Sequence, residues 1–326
     1  MKKIFLLAIM MAACNFSFLS AKTWRVSNID ATANFSTLDA AMQGITAGDT
    51  LYLEGSNIGY TLSNPITKKV AILGSGYYLA DNPNTSVNKL EANISGDVSI
   101  MANETLMEGV SFYSSSGTGN LNIGADDVII RKCYIGAHVY FTDSNANTHL
   151  QIKNTAIMQC YMRYGLWNTA TNSDTAYNSL IVNNIFNDYN IYLQYLVNAV
   201  IENNTFTGTG SSISYNTGCY IRNNLLVSSS LITNSNTNCT ISNNYVTGAT
   251  DYVTSVTSND GKWQLASTSA GMTAGVDGGQ CGAFGGASPY VLSGVANMPY
   301  IYEIDAPTVA SAAGGLQVTV KVWSGQ

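Results

Sequence analysis

Apolar and polar positions alternate along the middle of the chain in a pattern that repeats every twenty residues. Each repeat contains the motif Ile-x-Asn-Asn-x-apolar, and short runs such as "IYL" (191–193) and "ISY" (213–215) alternate in period two. Repeats this short, rich in Ile, Val, Tyr, Thr and Asn, predict several short strands joined by tight turns. The first isoleucine of the motif, here called the anchor, is Ile181, Ile201, Ile221 or Ile241, and weaker upstream copies place anchors at Met107, Ile130 and Ile152.

Such a unit cannot bury its apolar face alone, whereas stacked units can, with backbone hydrogen bonds running from coil to coil. Stacking places equivalent side chains in columns, so the anchors should form an aliphatic core. Asparagine tolerates left-handed backbone angles, and its amide can bond both neighbouring coils, which predicts turns at the Asn pairs. The pairs are Asn183/Asn184, Asn203/Asn204, Asn223/Asn224 and Asn243/Asn244, and a second row comprises Asn178, Asn198, Gly218 and Asn238, three residues before the anchors.

The segment "FSTLDAAMQGITAGDTLYLEGSNIGYTLSNPITKKVAILGSG" (35–76) precedes the repeats. Phe35, Leu38, Ala41 and Met42 lie at helical spacing, which predicts a short amphipathic helix over one end of the stack. Together with the repeats, this segment resembles the right-handed parallel β-helix of pectate lyases and pectin methylesterases over roughly residues 23–260. The resemblance implies an all-β solenoid with a short N-terminal helical cap and a C-terminal β-rich cap segment. It leaves function open, because this fold carries many activities.

The two ends of the chain differ from the repeats. Lys2 and Lys3, the apolar run "IFLLAIMMAA" and small residues near Ala21 predict a signal peptide over 1–21 and export from a bacterium, to the periplasm, the outer membrane or the exterior. A competing interpretation makes Cys14 a lipid-attachment site. Neither the apolar run nor any other segment is long enough to predict a transmembrane helix. The β-helix is predicted over 22–260, and 261–326 is predicted to be a cap or a small β module.

Composition narrows the possible partners. The net charge is −6 and only 14 residues are Lys or Arg, which argues against nucleic acid, because phosphate binding needs clustered positive charge. Five cysteines follow Ala21, and without CxxC or His/Cys clusters they predict no metal site. Cys219 and Cys239 share a register, which allows either a disulfide or two stacked small hydrophobic side chains.

Candidate catalytic groups are sparse. Asp127 and His149 each precede an assigned anchor by three residues, so they are either a stacked general acid–base pair or turn residues of the second Asn row. Arg131 and Lys153 each follow an anchor, and they either hold an acidic sugar or form a solvated face neutralised by Glu108. Residues that directly follow the anchors lie side by side in neighbouring coils, which predicts ion pairs between Glu108 and Arg131 and between Glu202 and Arg222. Resemblance to pectate lyases, which bind Ca²⁺ through clustered carboxylates, implies Ca²⁺ only if this protein is a lyase.

Aromatic residues indicate a carbohydrate surface. Tyr195 and Tyr215 are twenty residues apart and should stack, and Trp167 and Tyr192 belong to the same aromatic-rich region. Exposed rings beside Asn and Ser suit sugar faces, although the rings can equally fill the core or cover a sheet. The extra residues between Ile152 and Ile181 predict a loop beside a groove.

Three functional hypotheses follow. The first is an exported, non-catalytic protein that binds or contacts polysaccharide at the bacterial surface. The second is a polysaccharide lyase or glycoside hydrolase with a diverged site. The third is a purely structural or adhesive protein.

Overall fold

The chain winds into a right-handed parallel β-helix, as the repeat predicts. Four parallel sheets, here named A to D, form the walls of the solenoid, with ten, nine, six and three strands. The computed structural model describes residues 21–113, 119–141, 151–167, 175–187, 191–307 and 315–323.

Each coil after the first contributes one strand to sheet A and one to sheet B. In the four coils from Leu180 onward, the two sheets meet at the turn formed by the Asn pairs. The strands of sheet A are Thr23–Val26, Thr50–Leu53, Ala71–Leu73, Leu106–Glu108, Ile129–Arg131, Ala156–Met158, Leu180–Val182, Val200–Glu202, Tyr220–Arg222 and Thr240–Ser242. Those of sheet B are Tyr60–Thr61, Asn93–Ser95, Ser111–Phe112, Tyr134–Ile135, Tyr161–Met162, Ile185–Phe186, Thr205–Phe206, Leu225–Leu226 and Tyr245–Val246.

Sheets C and D complete the coil, and an antiparallel hairpin follows near the C-terminus. Sheet C contains Val98–Ile100, Leu121–Ile123, Val139–Phe141, Leu166–Trp167, Tyr192–Gln194 and Ser212–Ser214, and sheet D contains Gln151–Lys153, Thr175–Tyr177 and Leu196–Val197. The hairpin pairs Tyr300–Asp305 with Thr319–Trp323. One α-helix, Leu38–Gly44, occurs among the described residues.

That helix lies at the N-terminal end of the solenoid, as predicted. It begins after Thr37, whose hydroxyl accepts a hydrogen bond from the Ala40 amide at 3.1 Å. Leu38 and Ala41 are fully buried in the solenoid core, while Phe35 and Met42 pack against it. The helix therefore covers apolar side chains of the first coils. At the opposite end, Leu226, Ile232, Ile241 and Val246 contribute to a cavity of about 500 Å³.

The anchors form the predicted core column, with two corrections. Ile241 belongs to the last coil that the structure describes, has no further coil to cover it and is 48% exposed. Ile157, not Ile152, pairs with Ile130 on one side and Ile181 on the other, and all three are fully buried. Ile152 instead pairs with Ala176 in sheet D. Both isoleucines have apolar alternation around them, and the spacing of the downstream repeats does not distinguish them because this coil is longer.

The second asparagine of each pair lies in a buried ladder inside the turn between sheets A and B. The Nδ2 atom of Asn204 donates to Asn224 Oδ1 at 3.1 Å and to the Ile181 carbonyl at 2.8 Å. Its Oδ1 accepts from the Asn184 amide at 3.0 Å. Each amide therefore bonds both neighbouring coils, as predicted. In the preceding coil the position belongs to Cys160, whose amide donates to Asn184 Oδ1 at 2.9 Å.

Both predicted rows of turn residues have positive φ. Asn183, Asn203, Asn223 and Asn243 have φ between 52° and 56°, and Asn178, Asn198, Gly218 and Asn238 between 53° and 68°. This is the left-handed region that asparagine and glycine tolerate best. Asn154, at φ 59°, is three residues before the corrected anchor Ile157 and extends the second row upstream.

Residues 258–297, here called the strap, lie along the outside of the turn between sheets A and B. The first asparagine of each pair faces the strap. Asn183 Nδ2 donates to the carbonyls of Ala283 and Gly285, at 2.9 and 2.7 Å. Asn223 Oδ1 accepts from the Val276 amide at 2.9 Å. Asn243 Nδ2 likewise donates to the Ala274 carbonyl, at 3.3 Å. In these three pairs the first asparagine bonds the strap, whereas the second bonds neighbouring coils.

The strap also covers part of the outer face of sheet B. Ile185 and Phe186 are adjacent on one strand and both are fully buried. Phe186 points into the solenoid and stacks on Phe206 at 4.8 Å, whereas Ile185 packs outward against Ala283 and Tyr290. In this part of sheet B both faces are therefore buried. The boundary placed at residue 260 from the sequence remains a prediction.

Asp260 fastens the strap at one end. Its side chain is fully buried and accepts hydrogen bonds from Asn82 Nδ2 at 2.8 Å, the Ser293 amide at 2.7 Å and the Tyr290 hydroxyl at 3.2 Å. A buried carboxylate is stable only when such donors replace water. The three contacts join the strap to itself and to the loop that contains Asn82.

Candidate functional site

Asp127 occupies a turn position in the second Asn row. Its φ is 58°, its side chain is exposed, and its Oδ1 accepts from Asn154 Nδ2 at 2.9 Å. The predicted pairing of Asp127 with His149 depended on the anchor at Ile152 and is wrong in register, because Asn154 holds the equivalent position. His149 lies outside the described residues. The catalytic role assigned to Asp127 stays a prediction.

Arg131 and Lys153 do not lie side by side in the row next to the anchors. Arg131 pairs with Met158, whereas Lys153 is in sheet D opposite Tyr177. This error has the same cause, the choice of Ile152 as anchor. Any role of these two side chains in catalysis or in holding an acidic sugar remains untested.

Both predicted ion pairs are present. The Arg131 guanidinium contacts Glu108 at 2.7 Å, and Arg222 contacts Glu202 at 3.1 Å. Glu108 is only 1% exposed and also contacts the Lys132 ammonium at 3.2 Å. Desolvation lowers the pKa of Lys132, and the nearby Glu108 charge opposes that shift. These charges are bound to one another, which suits a structural role.

Tyr195 and Tyr215 stack on the corner between sheets C and D. Their ring centroids are 5.4 Å apart and the ring planes differ by 10°, which confirms the predicted stack. Tyr215 is 54% exposed and Tyr195 is partly buried. Both residues have positive φ, 58° for Tyr195 and 59° for Tyr215, so the backbone turns sharply at each ring. We call these two rings the tyrosine stack.

The backbone behind the tyrosine stack is held by a second asparagine ladder. Asn216 Oδ1 accepts from the Leu196 amide at 3.0 Å, and Asn216 Nδ2 donates to the Leu193 carbonyl at 3.1 Å. The Asn216 amide in turn donates to Asn236 Oδ1 at 3.1 Å. Three neighbouring coils are thereby joined at this corner, and the rings are mounted on regular backbone rather than on a long loop.

Polar side chains lie close to the tyrosine stack. Gln194 Nε2 donates to the Ser214 hydroxyl at 2.9 Å, and the Tyr215 amide donates to Ser235 Oγ at 3.3 Å. Tyr192, another predicted contact residue, pairs with Ser212 on sheet C. Hydroxyl and amide groups thus border the ring faces.

Trp167 and the predicted groove are only partly within the described structure. The backbone of Trp167 pairs with Tyr140 in sheet C, and its side chain lies outside the described part. Most of the loop expected to line a groove, residues 168–174, also lies outside the described residues. Trp167 as a glycan contact therefore stays a prediction.

Tyr220 is a further exposed ring in the aromatic-rich region, although it is not among the predicted contact residues. It is 51% exposed on sheet A, five residues after Tyr215, and the Arg222 guanidinium lies 6.0 Å from its ring centroid. It immediately precedes the anchor Ile221. Because successive strand residues face opposite sides, its outward orientation was implied by the buried anchor.

The described residues were searched for two further features, a cluster of metal ligands and a membrane-spanning helix. Within the described ranges, no group of three or more His, Cys, Asp or Glu side chains is arranged to hold a metal ion. The Ca²⁺ expectation, which applied only to a lyase, stays untested. No helix of sufficient length and apolar character to cross a bilayer occurs in the part of the chain that the structure describes.

Similarity to known proteins is limited. The crystal structure of pectate lyase Pel9A is similar over 81% of this chain and 96% of its own, with 13% sequence identity and a TM-score of 0.38. No protein-family model matches the sequence, and a search of curated proteins finds no significant match. The class of this protein, a right-handed parallel β-helix, is defined by the stacked coils themselves.

Proposed function

We propose that this protein is an exported β-helix protein that binds polysaccharide through the tyrosine stack. The observation that carries the proposal is the parallel pair Tyr195–Tyr215 at 5.4 Å, with Tyr215 more than half exposed. Flat ring faces bind the apolar C–H faces of sugars, while bordering hydroxyl and amide groups hydrogen-bond the sugar hydroxyls. The N-terminal sequence, with its basic start and apolar run, supports export.

Rigidity of the surface favours binding. Interactions that immobilise flexible side chains or loops cost about 0.5–1.5 kcal/mol for each side chain ordered. The ladder through Asn216 already fixes the backbone of the corner, and each ring restrains the other. A glycan lying along the solenoid axis would contact successive coils without reorganising them.

A binding panel of neutral and acidic polysaccharides tests the proposal. The mature chain should bind at least one neutral or acidic polymer, and Tyr215→Ala should weaken binding about tenfold, equivalent to about 1.4 kcal/mol. Tyr113→Ala removes another exposed ring, which directly follows the sheet B strand Ser111–Phe112, and is the matched control. Absence of binding to every polymer would overturn the proposal in favour of a structural or adhesive role, and equal loss in both variants would reject the tyrosine stack as the site.

The same panel distinguishes the catalytic alternative. Ultraviolet absorbance from unsaturated sugar products identifies a lyase, and new reducing ends without that absorbance identify a hydrolase. Either signal would favour the hypothesis of a lyase or hydrolase over that of a non-catalytic binding protein. Substitution of Asp127, Arg131 or Lys153 would then test whether these exposed or half-exposed side chains belong to the reaction.

A further inference from the structure

Three tyrosines and one carboxyl group enclose a small cavity on the outer side of sheet B, away from the tyrosine stack. The cavity has a volume of about 130 Å³ and is lined by Tyr78, Glu91, Tyr113 and Tyr134. Tyr78 and Glu91 come from the long loop after Ala71–Leu73, and Tyr113 and Tyr134 come from two successive coils. We call these four side chains the tyrosine cage.

Two rings of the tyrosine cage, Tyr78 and Tyr113, each stand nearly perpendicular to Tyr134. Tyr78 and Tyr134 have centroids 5.5 Å apart with planes at 75°, and Tyr113 and Tyr134 are 5.8 Å apart at 89°. Tyr161 stacks on Tyr134 at 5.8 Å and 12°, and meets Tyr78 at 87°. Because Tyr161 is itself buried, it holds two of the cage rings in place.

The carboxyl group of Glu91 supplies the polar side of the cavity. Its Oε1 accepts from the Tyr78 amide at 2.8 Å and its Oε2 from the Ser111 hydroxyl at 3.1 Å. Among the residues that the structure describes, Glu91 forms no ion pair. Desolvation raises the pKa of Glu91, as expected for a carboxyl group removed from water without a balancing cation.

We propose that the tyrosine cage binds an organic ammonium cation, and that a quaternary trimethylammonium group is the preferred form. Tyrosine faces attract cations through the ring quadrupole, and cages of aromatic rings recognise quaternary and methylated ammonium groups. When ionised, the Glu91 carboxyl group adds a negative charge at the same cavity. The small volume suits a compact cation rather than a sugar ring with its substituents.

The composition of the walls selects against other cations. Ca²⁺ takes six to eight oxygen ligands and Mg²⁺ demands octahedral oxygen coordination. One carboxyl group with both oxygens already engaged, together with three phenol rings, cannot provide such a shell. A trimethylammonium group has an apolar surface and needs no hydrogen-bond acceptors, so ring faces satisfy it. This inference is independent of the proposed glycan binding, which uses different residues on another side of the coil.

Calorimetric titration of the mature chain with choline and with tetramethylammonium tests the proposal. Both should bind with one site, and the neutral tert-butyl isostere of choline should bind about tenfold more weakly, because it lacks the cation–π attraction to the rings. Equal binding of choline and its isostere, or no heat with either cation at millimolar concentrations, would overturn the proposal.

Two variants and one control locate the site. Tyr113 is 40% exposed, so Tyr113→Ala should fold normally and weaken choline binding about tenfold. Glu91→Gln keeps the shape and removes the charge, so it should weaken choline binding while leaving the isostere unchanged. Tyr220→Ala, an exposed ring on sheet A, should bind choline as the unmodified chain does. Unchanged binding by Tyr113→Ala would reject the cage as the site.

A trimethylammonium group can belong to a small soluble molecule or to a phosphocholine headgroup at a surface. Cosedimentation with phosphatidylcholine vesicles, compared with phosphatidylglycerol vesicles, separates these sources. Choline binding without vesicle binding indicates a soluble ligand. Vesicle binding that free choline competes away indicates a headgroup. Both outcomes support the cage, whereas vesicle binding that Tyr113→Ala leaves unchanged counts against it.

Discussion

Asn184 and Asn204 are joined by two hydrogen bonds across neighbouring coils, because both the backbone amide and Nδ2 of Asn184 donate to Oδ1 of Asn204 at 3.0 Å. Asn204→Ala would leave the Asn184 amide and the Ile181 carbonyl without their side-chain partner. Each buried polar group left unpaired costs about 1–3 kcal/mol, so we expect a loss of roughly 2–5 kcal/mol in unfolding free energy. Urea denaturation measures the change.

Asn198→Gly is the matched control for that substitution. Asn198 has φ 54°, and the next coil already carries Gly218 at the equivalent position, with φ 68°. Glycine adopts this conformation without steric cost, so stability should change by less than about 1 kcal/mol. Similar losses for Asn204→Ala and Asn198→Gly would contradict the ladder as the main source of stability at this turn.

Cys160→Asn should extend the ladder by one coil. The Cys160 amide already donates to Asn184 Oδ1 at 2.9 Å, and its sulfur lies 3.6 Å from the Ile130 carbonyl, a weak contact. An amide at that place can bond both groups, adding about 1 kcal/mol of stability. Thermal unfolding under reducing conditions measures the gain. Cys160→Leu, which has no donor, is the control, and equal stability of the two variants would refute the prediction.

Asp260→Ala should release the strap while the coils stay folded. The substitution removes the acceptor of three buried donors, and hydrogen bonds to charged groups contribute about 1.5–3 kcal/mol each. Hydrogen exchange should quicken in residues 258–297 and remain slow at the anchors. Asn259→Ala, which removes an exposed hydrogen bond to Asp81, is the neighbouring control. Uniform loss of protection over the whole chain would instead indicate that the strap and coils unfold together.

Stability should fall with rising pH because of Glu91. Burial raises the pKa of its carboxyl group in the folded protein, so the folded chain holds this proton more tightly than the unfolded chain. Stability is therefore lost as pH rises from the unfolded value of about 4.3 through the raised folded value. The groups facing Glu91 are Tyr78, Tyr113, Tyr134, Ser111 and, through its charge, Asp81.

Glu91→Gln should flatten that part of the pH profile, measured by urea denaturation between pH 4 and pH 8. Burial raises the pKa of Tyr78 and of Tyr113 further above this range, so these two hydroxyls add no slope of their own. Choline should protect the unmodified chain more at the upper end of the range, because the cation favours the ionised carboxylate. An unchanged profile in the Gln variant would show that other groups cause the slope.

The twenty-residue period was sufficient to predict the downstream coils, the two rows of positive φ and the Tyr195–Tyr215 stack. Strict repetition fixes the register, since every coil there contains the same number of residues. Upstream, the coils are unequal: the anchors Ile130, Ile157 and Ile181 are 27 and 24 residues apart. Apolar and polar residues alternate around Ile152 much as they do around Ile157, so the sequence pattern predicted the wrong anchor. The expected Asp127–His149 and Arg131–Lys153 neighbours depended on that anchor.

By itself, the sequence determined which residues repeat, and hence that the chain stacks into parallel coils with anchors inside and asparagines at the turns. Only the tertiary structure decided which asparagine of each pair faces the strap, that part of sheet B is buried on both faces, and that Tyr78, Glu91, Tyr113 and Tyr134 meet around one cavity. The physical reason is the range of the contacts. Repetition encodes the relation of each coil to the next, whereas the strap and the cage depend on segments of irregular length that return to the solenoid from far along the chain.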